Sequence, residues 1–205
     1  MLRALPNILG LFRILATPLV MWLILVGHPG AYLWAVGLFL AMAVSDMLDG
    51  MIARWLDAVS PLGVFLDTIS DKISVVGVLL PMVEQGLLSG WVALVIIMRE
   101  FLVSGLRSFA AAEGQVIAAG VWGKQKYVIT VVALVWRLLA ASVRPDLAIP
   151  AGAATLYGFI VSLWPIPMTM AVVWTVFSAV DYVWKAWPLL RQKWLPASSH
   201  VSDEG

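Results

Sequence analysis

Four aspartates and an arginine stand close together in a stretch that is otherwise apolar: Asp46-Met-Leu-Asp49-Gly50-Met-Ile-Ala53-Arg54, then Gly63, Asp67 and Asp71. On a helix, residues three and four apart share a face. Asp46, Asp49, Gly50 and Ala53 therefore form one stripe, and Gly63, Asp67 and Asp71 a second. Ser60-Pro61 between them predicts a turn into a new helix, since proline is tolerated in a first turn. The two stripes are expected to face each other near the ends of an antiparallel pair.

Facing carboxylates without a counter-charge repel strongly in a low dielectric, so they either take up protons or hold a cation. Aspartate oxygens are hard ligands, suited to Mg²⁺, Mn²⁺ or Ca²⁺ rather than zinc or copper. Two divalent ions bridged by shared carboxylates would suit phosphoryl transfer, where charge on the attacking and leaving oxygens needs stabilising. Small residues beside the acids leave room for a flat or bulky ligand to approach the helix backbone. The intervening residues are apolar and helix-forming, which excludes a solvated acidic loop.

The elements that must position these groups are membrane spans. The chain of 205 residues is 62% hydrophobic and 12% charged, with a mean hydropathy of +0.96. A soluble domain carries roughly twice that share of charge. The length suits about six spans of ~20 residues, an all-α polytopic bundle with no room for a second sizeable soluble domain. The net charge of +1 points to neither nucleic acid nor an acidic partner. With no cysteine, disulfide and thiolate chemistry are excluded. The first apolar run lacks a small-residue cleavage site and is read as a retained span.

Spans are predicted at about 8–26, 32–56, 61–82, 89–112, 124–141 and 168–187. The second delivers the first acidic stripe and the third the second. The apolar segment 147–163, flanked by prolines, is too short for a seventh span and is expected to be a re-entrant or interfacial piece, or an extension beside the fifth span. Residues 1–195 form one transmembrane catalytic domain, and 196–205 a disordered tail. Arg13 in the first span either snorkels to the interface or serves the site. Arg99, Glu100, Ser104 and Arg107 fall towards one face of the fourth span, where deep ionisable groups imply function or an ion pair fastening adjacent helices. Arg3, Arg13, Arg54, Arg107, Lys124, Lys126, Lys185, Arg191 and Lys193 gather on one side of alternating spans, and Arg144 and Arg137 on the other. That asymmetry predicts a cytoplasmic site and both termini cytoplasmic.

The spacing D-x2-D-G-x2-A-R-x8-G-x3-D-x3-D is met by Asp46, Asp49, Gly50, Ala53, Arg54, Gly63, Asp67 and Asp71. It resembles the signature of the CDP-alcohol phosphatidyltransferases, membrane enzymes of phospholipid synthesis. The resemblance implies a CDP-lipid donor bound over Asp49, Gly50, Ala53 and Gly63 with Arg54 near the diphosphate. It also implies that Asp46, Asp49, Asp67 and Asp71 hold Mg²⁺ or Mn²⁺, and that Asp71 is the base that deprotonates the attacking hydroxyl. Members are commonly homodimers.

Pro6-Asn7…Arg13, Arg99-Glu100…Ser104-x-Leu106-Arg107 and Gly123-Lys124-x-Lys126 are similar to segments of the family's bacterial phosphatidylglycerophosphate synthases. That implies CDP-diacylglycerol as donor and glycerol 3-phosphate as acceptor, with Asn7 and Arg13 on the substrate side. Glycerol 3-phosphate is a small dianion, and Arg99, Arg107, Lys124 and Lys126 could supply its phosphate with donors. Lys124 and Lys126 could instead be ordinary loop cations on the positive side. Competing readings are another acceptor (phosphatidylglycerol, serine or inositol phosphate) and a cation transporter with intramembrane aspartates. The transporter needs no Arg54, no small-residue clearance and no cationic pocket.

Overall fold

The computed structural model describes residues 5–55, 61–115, 121–143, 158–159 and 161–193, and every regular element among them is helical. The helices are α1 (Leu5–Leu25), α2 (Pro29–Trp55), α3 (Pro61–Glu84), α4 (Gly90–Ala112), α5 (Val121–Ser142) and α6 (Pro165–Lys193). Pro29, Pro61 and Pro165 each open a helix, where the missing N–H costs nothing. α1, α2, α5 and α6 are long and apolar enough to cross a membrane. α3 and α4 have the length, 24 and 23 residues, but carry Asp67, Asp71 and Lys72, or Arg99, Glu100 and Arg107. At about 1.5 Å per residue either reaches across a hydrocarbon core of about 30 Å.

Large apolar side chains point outward: Trp34 is 75% exposed, Leu15 67% and Trp184 79%. In water this surface would drive aggregation; in lipid it is the favourable one. The protein is an integral membrane protein. Its interior combines apolar side chains such as Ile24, Met42 and Leu79 with buried hydroxyl residues, among them Thr17, Ser45, Ser70, Thr130 and Ser178. Each of these satisfies its hydroxyl on a carbonyl three or four residues back, at 2.7–3.1 Å.

Neighbouring helices close a ring in the order α1–α2–α5–α6–α4–α3. This modifies the expectation of a simple α2–α3 pair. The two acidic helices touch each other over only a short stretch, and α1 packs along both. Two glycines allow α1 and α3 to lie so close. A Cβ at Gly10 would sit 3.4 Å from Leu66 Cβ, and one at Gly77 would run into Thr17 Cγ2.

The end of the bundle away from the aspartates is fastened by polar contacts. Gly27 and Gly86 adopt positive φ, 68° and 66°, and reverse the chain after α1 and α3. Gln85 Nε2 donates to Leu25 O at 3.0 Å, capping α1. Arg137 Nε donates to Leu87 O at 2.7 Å, and its guanidinium lies 4.5 Å from the Trp164 ring centre.

Five helices end within a turn of their predicted bounds. α6 runs past Pro188 to Lys193, beyond the predicted end at 187. Arg191 and Lys193 favour its C-terminal dipole, and Lys193 Nζ reaches Glu113 Oε2 on the α4 cap at 2.6 Å. Of the segment 147–163, residues 158–159 and 161–163 are helical; its remainder and the tail 196–205 lie outside the described residues.

Candidate active site

α2 supplies Asp46 and Asp49 one turn apart, and α3 supplies Asp67 and Asp71 one turn apart. One carboxylate oxygen each from Asp46, Asp49 and Asp67 lies within 4.8 Å of the others. The stripes predicted from spacing therefore converge. Asp49 is buried, whereas the Asp67 and Asp71 side chains are about half exposed, at 52% and 47%, and form the open side of the cluster. Close-set hard oxygens on two rigid helices can hold a divalent cation.

Arg13 is where helical spacing could not place it. Its guanidinium, 2% exposed, sits among all four carboxylates. Nη1 donates to Asp46, and to Asp71 Oδ1 at 2.6 Å. Nη2 donates to Asp49 Oδ2 at 2.5 Å and to Asp67 Oδ1 at 2.9 Å. Four of the five N–H groups are thus engaged, and the buried Nε has no partner. One cation cannot balance four carboxylates, so the remainder must take up protons or hold a further cation. Arg13 belongs to the site and does not snorkel.

A cavity of about 50 Å³ runs from this cluster towards α4 and α5, lined by Asp46, Asp71, Ser74, Glu100, Lys126 and Tyr127 among others. Lys126 is buried and ion-paired with Glu100. Arg99 Nε donates to Ser178 Oγ of α6 at 3.2 Å, and its Nη1 stands 3.5 Å from Glu100. Its guanidinium also lies against Gly123, where a Cβ would be 4.0 Å away. The Arg99–Glu100 region therefore fastens α4 to both α5 and α6. Arg107 is exposed two turns further along α4, close enough to Arg99 for the two cations to repel. Gly50, Gly63 and Asn7 are half-buried. The side chains of Ala53, Arg54 and Lys124 lie outside the described residues.

Glu100 as the partner of Lys126 was not foreseen, nor were Ser74 and Tyr127 as lining. Ser74 lies one turn beyond Asp71 on the same stripe, a spacing that could have revealed it. The Glu100–Lys126 pair joins two helices and left no mark in local spacing.

The sequence matches the family model for CDP-alcohol phosphatidyltransferase over residues 3–177. The chain is 34% identical over 199 residues to a CDP-diacylglycerol–glycerol-3-phosphate 3-phosphatidyltransferase of Bacillus subtilis, covering 91% of this chain and 97% of that protein. A protein of the same name from Pseudomonas fluorescens is 33% identical, covering 91% of each chain. A rice cardiolipin synthase (CMP-forming) is 32% identical over 92% of this chain and 59% of its own length. With the aspartates of the family signature gathered on two helices of a membrane bundle, and the family model matched over most of its length, this chain belongs to the CDP-alcohol phosphatidyltransferase family.

Proposed function

We propose that the protein transfers a phosphatidyl group from CDP-diacylglycerol to sn-glycerol 3-phosphate, giving phosphatidylglycerophosphate and CMP. The observation that carries this reading is the single cavity joining the aspartate cluster to the buried Lys126, which sets a metal-type site beside a cation suited to an anionic acceptor. The names of the two bacterial relatives support the same acceptor.

Asp46, Asp49, Asp67 and Asp71 would hold two divalent ions, Mg²⁺ or Mn²⁺, and such ions would supply neutralisation of charge on the diphosphate and on the leaving CMP. Gly50, Ala53 and Gly63 leave space for the nucleotide, and Arg54 pairs with the diphosphate. Asp71, on the open side of the cluster and lining the cavity, accepts the proton of the acceptor hydroxyl. The freed oxygen bonds to the phosphorus carrying diacylglycerol as the phosphorus–oxygen bond to CMP breaks. Lys126, Arg99, Arg107 and Lys124 hold the acceptor's phosphate, which must displace Glu100 from Lys126. Asn7 lies on the substrate side of α1.

The enzyme works as a homodimer in a bacterial inner membrane, with residues 1–195 as one catalytic unit, the tail 196–205 outside it, and site and termini cytoplasmic. The rice relative makes phosphatidylglycerol the competing acceptor. An acceptor screen with labelled CDP-diacylglycerol, reading both CMP and lipid product, tests the proposal. Preference for phosphatidylglycerol, serine or inositol phosphate over glycerol 3-phosphate would overturn the acceptor. Absence of CMP release with every acceptor would overturn the reaction.

A further inference from the structure

The four aspartates are not waiting empty-handed for a cation, because Arg13 is already among them. Both Nη atoms of its guanidinium are fully spent on Asp46, Asp71, Asp49 and Asp67, and the side chain is 2% exposed. Its fifth donor, Nε, is buried and unpartnered. A side chain placed for a permanent structural role would be expected to satisfy that last donor, since an unmade buried hydrogen bond is costly. Here one donor is sacrificed so that the fork can reach carboxylates on two different helices. The oxygens it occupies on Asp46, Asp49 and Asp67 belong to the same residues whose oxygens gather within 4.8 Å. Arg13 takes one oxygen of each aspartate, so a divalent ion drawing on the same carboxylates meets fewer free lone pairs and a neighbouring positive charge.

We infer that Arg13 is a built-in counter-ion that substitutes for metal: it holds α2 and α3 together when no metal is bound, and competes with metal for the same carboxylates. The inference rests on the metal reading given above. Two properties follow that point in opposite directions. Metal-free protein keeps its fold because Arg13 offsets part of the carboxylate repulsion that would push the two helices apart. Metal binding is weakened, because the guanidinium must first withdraw.

The test uses full-length protein in detergent, titrated with Mn²⁺ and followed by the loss of the free-ion paramagnetic resonance signal, alongside thermal melts in EDTA. Wild type should melt at nearly the same temperature with EDTA as with Mn²⁺. Arg13→Gln should melt clearly lower in EDTA and regain most of the difference when Mn²⁺ is added. The same variant should bind Mn²⁺ about ten- to a hundredfold more tightly than wild type, if the withdrawn state is about 1–10% populated. A merely structural arginine would lower stability and metal affinity together. If Arg13→Gln cannot be purified, Arg13→Lys keeps a charge but lacks the fork, and should bind Mn²⁺ more tightly than wild type. Wild type that unfolds in EDTA, or variants that bind Mn²⁺ no better than wild type, would overturn the inference and leave the metal reading intact. Failure of wild type and variants alike to bind Mn²⁺ would overturn both.

Discussion

Lys126→Met and Glu100→Gln should move acceptor binding in opposite directions. Lys126 is 4% exposed and its carboxylate partner 22%, so the pair is screened little by solvent. On the proposed reading, Glu100 occupies the ammonium that the acceptor's phosphate would take. Removing Lys126 deletes one charge-assisted contact, worth about 1.5–3 kcal/mol, so KM for glycerol 3-phosphate should rise about ten- to a hundredfold. Glu100→Gln removes the internal competitor, and KM should fall by roughly fivefold, about 1 kcal/mol. That gain has a stability counterpart. Stranding Lys126 without its carboxylate should cost on the order of 3 kcal/mol in acceptor-free protein. Added glycerol 3-phosphate should raise the melting temperature of Glu100→Gln more than that of wild type. The assay is CMP release at saturating CDP-diacylglycerol with acceptor varied, then the reverse; the donor's KM should stay put in both variants. An unchanged acceptor KM in Lys126→Met would remove Lys126 from the acceptor site. A raised one in Glu100→Gln would mean that Glu100 positions the lysine rather than blocking it.

Asp67→Asn and Asp71→Asn should each abolish transfer, for separable reasons. The first should also weaken the dependence of rate on Mg²⁺ or Mn²⁺, whereas the second should leave CDP-lipid binding nearly intact in an equilibrium binding assay. Gly77→Ala pushes a methyl into Thr17 at the α1–α3 contact, and overpacking of this kind should cost about 1–3 kcal/mol in a thermal or denaturant melt. Arg137→Gln loses the bond to Leu87 O and the contact with Trp164. It should destabilise by about 2–3 kcal/mol while leaving both substrate KM values unchanged, since it lies at the far end of the bundle.

The spans were legible because lipid imposes long apolar runs, and because prolines and glycines mark the turns between them. The acidic stripes were legible because each lies within one helix, where spacing fixes the face. What lies between helices was not. The ring order places α1 against both acidic helices, and this depends on small residues such as Gly10 and Gly77 whose packing has no periodic signal. Arg13 was thus left between interface and site. Arg99, Glu100 and Arg107 were grouped on one face, yet adjacent residues on a helix point about 100° apart. Arg99 consequently reaches Ser178 on α6, while Glu100 reaches Lys126 on α5.

The buried fork of Arg13 also sets a timetable for making the protein. α1 is the most apolar of the four helices that meet the criteria for crossing a membrane, although it carries an arginine in its first half. An arginine near a helix centre costs about 2.5–3.5 kcal/mol on insertion, and the surrounding leucines and isoleucines offset it. Asp46 follows Arg13 by 33 residues and Asp71 by 58. At about 5–20 residues per second these gaps last roughly two to twelve seconds. Until α2 is made the guanidinium has no carboxylate of the cluster to meet, and its long stem lets it reach towards the lipid headgroups. Snorkelling therefore describes the nascent first helix, and the four-carboxylate clasp the finished one. Arrival of the third helix draws the arginine inward, so translation itself must finish α3 before the catalytic end can close.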